Sequence, residues 1–272
     1  MEKAKVLFVA QEIMPYLKDS HMGQIGRHLP QGIQERGKEI RTFMPKFGCI
    51  NERRNQLHEV IRLSGMNLII NDTDHPLIIK VASIQSARMQ VYFIDNDDYF
   101  SRKYTLSDSN AEAFPDNDER TIFFNRGVLE TVKKLRWSPD IIHCHGWFTS
   151  LIPILIKKAY KDDPMFANSK IVYSIYNDDF SPALNKSFKN KAVMDGITKK
   201  DLQIVENPDF LNVTKLAVQY SDGIILANSN VNPLVEEHVK TSGKSFLPFN
   251  GTENIIDEYA VFYEKILSES NN

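Results

Sequence analysis

The chain has 272 residues, with 33 lysines and arginines against 35 aspartates and glutamates, and its formal charge of −2 excludes the broad basic field that nucleic acid or an anionic membrane surface calls for. Its apolar runs fall far short of the ~20 residues that span a bilayer, and MEKAKVLFVA passes straight into a strand with neither a long apolar segment nor a small-residue cleavage site. The expected location is cytoplasmic, with no membrane and no nucleic acid as partner. The two cysteines, Cys49 and Cys144, form no CxxC pattern and sit in or beside predicted strands, which favours two buried free thiols over a disulfide.

Strand and helix patterns then alternate, which predicts an α/β fold: a single Rossmann-like, doubly wound and mostly parallel sheet covered on both faces. Strands are expected at residues 5–10, 40–44, 78–83, 90–94, 140–143, 170–175 and 223–227, and helices at about 22–36, 118–135, 148–160, 208–220 and 233–240. Residues 50–90, with Gly65 and the Asn71-Asp72-Thr73-Asp74-His75-Pro76 cluster, predict a β-hairpin insertion. Residues 178–206 are rich in Asp, Asn, Lys and Ser and are expected to be an exposed loop region with mobility. In the tail, Ile255, Ile256, Tyr259, Phe262, Tyr263 and Ile266 recur at three- and four-residue spacing, which predicts an amphipathic helix.

The most informative string is SPDIIHCHGW, residues 138–147. It predicts a short buried parallel strand that delivers His143 and His145 to its carboxyl end, where open α/β sheets place their ligands. An HxH pair alone fits ordinary strand-end residues better than a site. No metal or other cofactor is expected, because no third His, Cys or carboxylate lies at a recognisable spacing. Asp95, Asn96 and Asp97, and Asp116, Asn117 and Asp118, fit turn and cap chemistry better than catalysis. Gly23 falls at a helix amino terminus after the first strand, where an anion could dock, although a GxxG with Gly26 is a weak phosphate signal.

HCHGW is similar to the HCHDW segment of glycogen and starch synthases, glycosyltransferases of family 5 that add glucose from a nucleotide sugar to a growing α-glucan. The resemblance extends over residues 4–48, the blocks beginning at Val91 and Pro115, and KLAVQYSDGIILANSNVNPLVEEH from Lys215, in the family's order. It implies the first lobe of a GT-B fold, in which two Rossmann-like lobes face each other, the acceptor glucan largely on the first and the nucleotide sugar largely on the second. Residues 1–250 would be that first lobe and residues 251–272 a closing helix packed on the same domain.

By that resemblance, Lys18 stands at the lysine of the family's KTGGL motif and His145 at its active-site histidine, the one catalytic candidate. Gly23, Tyr176 and Asn177 join Lys18 as substrate or nucleotide-sugar binders. The departures are specific. Ser20 and His21 replace two glycines, Gln24 and Gly146 replace aspartates, and Ser174-Ile175-Tyr176-Asn177 stands where the family has threonine-isoleucine-histidine-asparagine. With these changes and no residues left for a second lobe, the expected function is a degenerate synthase-like domain, α-glucan-binding or regulatory, with weak or absent nucleotide-sugar binding. The alternative is a synthase that transfers glucose from ADP-glucose or UDP-glucose to an α-1,4-glucan with a donor lobe from another chain. The face around Met14, Pro15, Tyr16, Met22, Trp147 and Tyr176 is expected to be bare and apolar, and so to mark self-association or a partner from glucan metabolism.

Overall fold

The computed structural model describes residues 3–269; residues 1–2 and 270–272, the outer ends of the two expected segments, lie outside the described residues. Strands β1 (Lys5–Ala10), β2 (Glu39–Pro45), β3 (His58–Glu59), β4 (Met66–Ile70), β5 (Thr73–Ile84), β6 (Met89–Asp95), β7 (Ile141–His145), β8 (Lys170–Ile175), β9 (Gly223–Leu226) and β10 (Ser245–Leu247) form one sheet. Its order is β10-β9-β8-β7-β1-β2-β6-β5-β3, with β4 paired to β5. All pairs from β10 to β6 are parallel, whereas β5 runs antiparallel to β6, β3 and β4. The helices are α1 (His21–Glu35), α2 (Asp97–Phe100), α3 (Asn117–Leu135), α4 (Ile152–Ile154), α5 (Phe188–Lys191), α6 (Phe210–Tyr220), α7 (Pro233–Thr241) and α8 (Ile255–Ser268).

The period-two alternation of a strand assigns each residue to one layer. Along β1, Leu7 and Val9 join the larger core, while Val6 and Phe8 join a second core with α1 and α8. On β7, Ile142 and Cys144 take the first side, so His143 and His145 must face the α1 and α8 layer. Every residue of β7 is buried. The strand therefore hides two imidazoles in an apolar layer, a choice that its sequence alone left open.

The tail helix closes that layer. Tyr259, Phe262, Tyr263 and Ile266 are buried against α1 and the sheet. Two glycines make room for it: a Cβ on Gly32 would stand 2.6 Å from Ile256, and one on Gly223 would stand 2.7 Å from Ile266. Arg36 reaches Asp257 at 2.5 Å, and Lys38 pairs with Glu264 at the rim.

Several expectations need correction. The 148–160 helix is broken into a 3-10 turn at Trp147–Thr149, α4, and a π turn at Leu155–Ala159. Pro153 brings no amide to a continuous ladder, and the buried Asn125 side chain supplies the missing partners by donating to Phe148 O and accepting from Ile152 N. Residues 178–206 are exposed at many positions, as expected, but they are also anchored: Leu184, Phe188, Ala192, Ile197, Leu202 and Val205 are buried among the polar residues that masked them. This segment also caps the face expected to be bare. Tyr16, Met22, Trp147 and Tyr176 are each less than a tenth exposed, Phe180 lies 4.4 Å from Trp147 between ring centres, and of the six named residues only Pro15 is exposed. Cys144 is buried as expected, but Cys49 is exposed, both as free thiols. Strand β10 escaped notice because three residues carry no legible period. Among the described residues no helix is long and apolar enough to cross a membrane.

Candidate functional site

The carboxyl ends of β1, β7, β8 and β9 surround a cleft of about 660 Å³ whose lining includes Glu12, His21, Trp147, Tyr176, Asn177, Asp178, Asp179 and Phe180. Open parallel sheets present this edge to ligands because the loops there converge without having to cross the sheet. The lining combines amides, carboxylates and aromatic rings, and includes no lysine or arginine.

His145 is behind the wall of this cleft. It is 1% exposed, is not part of the lining, and shares a 2.8 Å hydrogen bond through Nδ1 with the phenol of Tyr176, which is. Its Nε2 has no partner. His143 lies against it, with ring centres 3.8 Å apart, and is held by Tyr263 at Nδ1 (2.6 Å) and by Ser174 at Nε2 (2.7 Å). Burial favours the uncharged form of each ring. It pushes His145 down to about 3 and His143 well below its ordinary range, with the neighbouring His145 adding to the effect. Burial likewise drives the phenols of Tyr176 and Tyr263 well upward. The cluster is therefore a neutral, hydrogen-bonded block at pH 7.

Lys18 is exposed and faces an adjoining cleft of about 550 Å³ with Cys49, Lys103 and Tyr104, sharing Glu12 and Ser20 with the first. Gly23 does open α1, but its amide donates to Ser20 Oγ at 2.9 Å, and that hydroxyl donates to Glu12 Oε2 at 2.5 Å. The helix start is thereby capped from within and backed by a carboxylate, which works against an incoming anion. Gly26 serves packing, since a Cβ there would stand 2.6 Å from Glu12 O. Asn177 is exposed and lines the main cleft with Tyr176. Asn96 caps α2, whereas Asp95 is paired with Lys80 (2.8 Å), Asp116 with Arg102 (2.6 Å) and Asp118 with Lys191 (2.8 Å). The structure thus splits the expected site: Tyr176 and Asn177 meet at one cleft, Lys18 at its neighbour, and His145 at neither.

Asp178 is the residue that sequence reasoning passed over. Its Oδ2 accepts the Trp147 amide at 2.9 Å and lies 3.0 Å from the point where a Cβ would stand on Gly146. Burial raises its carboxyl to about 7, against the opposing hydrogen bond from Trp147, with Asp179 and Glu12 adding to the rise. The available signal was its position, three residues after β8 ends, in the same loop as Asn177.

Gly146 itself has φ 82° and ψ 162°, a region open essentially to glycine alone. A side chain there would also meet Met22 at 2.8 Å. Gly146→Asp, which restores the residue of the HCHDW string, is therefore expected to destabilise the fold by roughly 1–3 kcal/mol. Urea unfolding at neutral pH checks this; an unchanged midpoint would mean that the backbone relaxes freely.

The starch synthase catalytic domain model matches residues 5–233. The chain belongs to that family. It is 36% identical over 228 residues to a glycogen synthase of Chlorobium luteolum, covering 77% of this chain and 45% of that protein. A glycogen synthase of Chlorobium phaeovibrioides is 32% identical over 243 residues, covering 89% and 48%. The chain thus spans about half the length of these curated relatives. In structure it is similar to the catalytic domain of Starch Synthase IV from Arabidopsis thaliana bound to ADP and acarbose, with a TM-score of 0.74 and 18% identity over 93% of this chain and 53% of that one, a likeness of fold. The family match and the parallel sheet agree on the GT-B type of lobe expected from HCHGW and its flanking blocks.

Proposed function

We propose that this chain is the acceptor-side lobe of an α-glucan synthase. Its main cleft takes the end of an α-1,4-glucan, and glucose arrives from ADP-glucose or UDP-glucose held by a donor lobe that faces it. Residues 1–250 form the lobe in this reading, and the helix within 251–272 closes it. The observation that carries the reading is the family match over residues 5–233, which brings to this sheet edge a cleft walled by Trp147, Phe180, Asn177 and Asp178. Amides and carboxylates exchange hydrogen bonds with sugar hydroxyls, and rings cover the apolar sugar faces.

Negative charge builds on a departing diphosphate, so the transition state needs cations. The main cleft includes none in its lining, whereas the adjoining one has Lys18 and Lys103. The glucan therefore goes to the former, and the donor phosphates to the side of Lys18, with further cations from the opposite lobe.

A second reading, glucan binding without transfer, is favoured by one observation: His145 stands behind Tyr176 rather than in the cleft. Radiolabelled glucose transfer to glycogen separates the two. The chain alone is expected to be inert, and transfer from ADP- or UDP-glucose is expected once the donor half of the Chlorobium luteolum synthase is added. Glycogen capture with no transfer in the mixture supports binding alone. Turnover by the isolated chain at a typical enzyme rate of about 1 per second or more, or failure to bind glycogen at all, overturns the proposal.

A further inference from the structure

We infer that Asp178 is the specificity-determining acceptor of the main cleft: its carboxylate takes hydrogen bonds from the hydroxyls of an uncharged sugar and turns away sugars that carry phosphate. This deepens the reading of the cleft as a glucan site and rests on it.

Three carboxylates line the cleft, and each accepts a hydrogen bond; Glu12 and Asp179 take theirs from side chains, Asp178 from a backbone amide. Glu12 accepts the Ser20 hydroxyl at 2.5 Å, and Asp179 accepts Asn232 Nδ2 at 2.6 Å. Asp178 accepts the Trp147 amide at 2.9 Å. A carboxylate offers about four acceptor positions on two oxygens, so the backbone amides of Trp147 and of Asp178 itself orient the group and leave it capacity for a ligand. The missing side chain at Gly146 gives it its place: the carboxylate and Met22 together fill the space beside that Cα. The Trp147 and Phe180 rings, 4.4 Å apart between centres, line the same cleft.

Electrostatics sharpens the selection. The groups facing Asp178 are Glu12 from the loop after β1, Asp179 beside it, and the phenols of Tyr173 on β8 and of Tyr176 just after it. None is a cation, and the cleft lining adds only His21 as a titratable base. A phosphate brought into this lining meets like charge without a compensating lysine or arginine, while a neutral hydroxyl donates into it. Because the carboxyl ionises near pH 7, its strength as an acceptor rises across the neutral range.

The test measures binding of maltoheptaose, maltose and maltose 1-phosphate to the whole chain by calorimetry from pH 5.5 to 8.5. Wild type is expected to bind maltoheptaose more tightly as pH rises through about 7, and to bind maltose more tightly than its phosphate. Asp178→Asn retains an oxygen for the Trp147 amide. It is expected to weaken maltoheptaose about tenfold, as loss of a charged acceptor does, to flatten the pH profile and to narrow the discrimination against phosphate. If wild type binds maltoheptaose with a flat profile, or if the variant matches it throughout, the inference fails while the glucan site stands. If wild type binds no maltoheptaose at any pH, the glucan reading fails and the inference with it. The wild-type profile decides the matter even where the variant folds poorly.

Discussion

Removal of residues 251–272 will abolish soluble expression or lower the unfolding temperature by more than ~10 °C. Tyr259, Phe262, Tyr263 and Ile266 are buried on the second core, and each such side chain contributes roughly 1.5–3 kcal/mol. Even half of the combined figure is several kcal/mol out of a net stability of about 5–15 kcal/mol, and a domain of this size shifts by about 2–4 °C for each kcal/mol. The rim pairs Arg36–Asp257 and Lys38–Glu264 each have a solvent-facing carboxylate and add little, since exposed pairs are worth about 0–1 kcal/mol. Single substitutions grade the claim. Ile266→Ala is expected to lose about 2–5 kcal/mol, whereas Val261→Ala, at a position 70% exposed, should be near neutral. Thermal and urea unfolding of the three variants checks it, and an unchanged curve for the truncation would show that the helix does not close the layer.

Acid will unfold the protein through its paired histidines. Both rings have folded-state values depressed below the ordinary 6.5, that of His145 to about 3, while the unfolded chain binds their protons near 6.5. Their contribution is therefore fully present above pH 6.5 and is lost as pH falls toward the folded values, by about 1.4 kcal/mol per pH unit for each ring. Asp178 acts in the opposite sense. Its carboxyl is raised to about 7, so between about pH 4 and 7 the folded state holds a proton that the unfolded state has released, and this group favours folding as pH falls. For these three groups the net slope below pH 6.5 is close to that of one histidine. Asp178→Asn should steepen it, and His145→Asn should flatten it. Urea unfolding at pH 8, 6 and 5 measures the slopes; equal slopes in all three proteins would show that the pair is not the acid trigger.

Much of this protein could be read directly from its residues. The runs at Lys5–Ala10 and Lys170–Ile175 became β1 and β8 with those bounds, because a continuous apolar run between turn residues has few structural outlets. The tail spacing of Tyr259, Phe262, Tyr263 and Ile266 became a buried helix face for the same reason: period reports which side of an element must leave water. Local pattern likewise placed His143 and His145 at a strand end and Gly23 at a helix start.

Tertiary structure alone decided what those residues do there. Whether His145 opens to a cleft or is sealed behind it depends on Tyr176 and on the α8 layer, where Tyr263 meets His143 across 120 positions of sequence. The polar appearance of residues 178–206 concealed buried apolar side chains and the Phe180 ring that packs on Trp147, and Asp178 came against the empty side of Gly146 only through chain closure. Lys18 and His145 share a motif-based expectation, yet Lys18 faces a cleft and His145 is sealed behind one. A sequence period records the preference of each residue for water or for the interior, which is a property of one side chain and its near neighbours. Distances between groups far apart in the chain are set by how whole layers pack, and on those distances the burial, protonation and reach of a site depend.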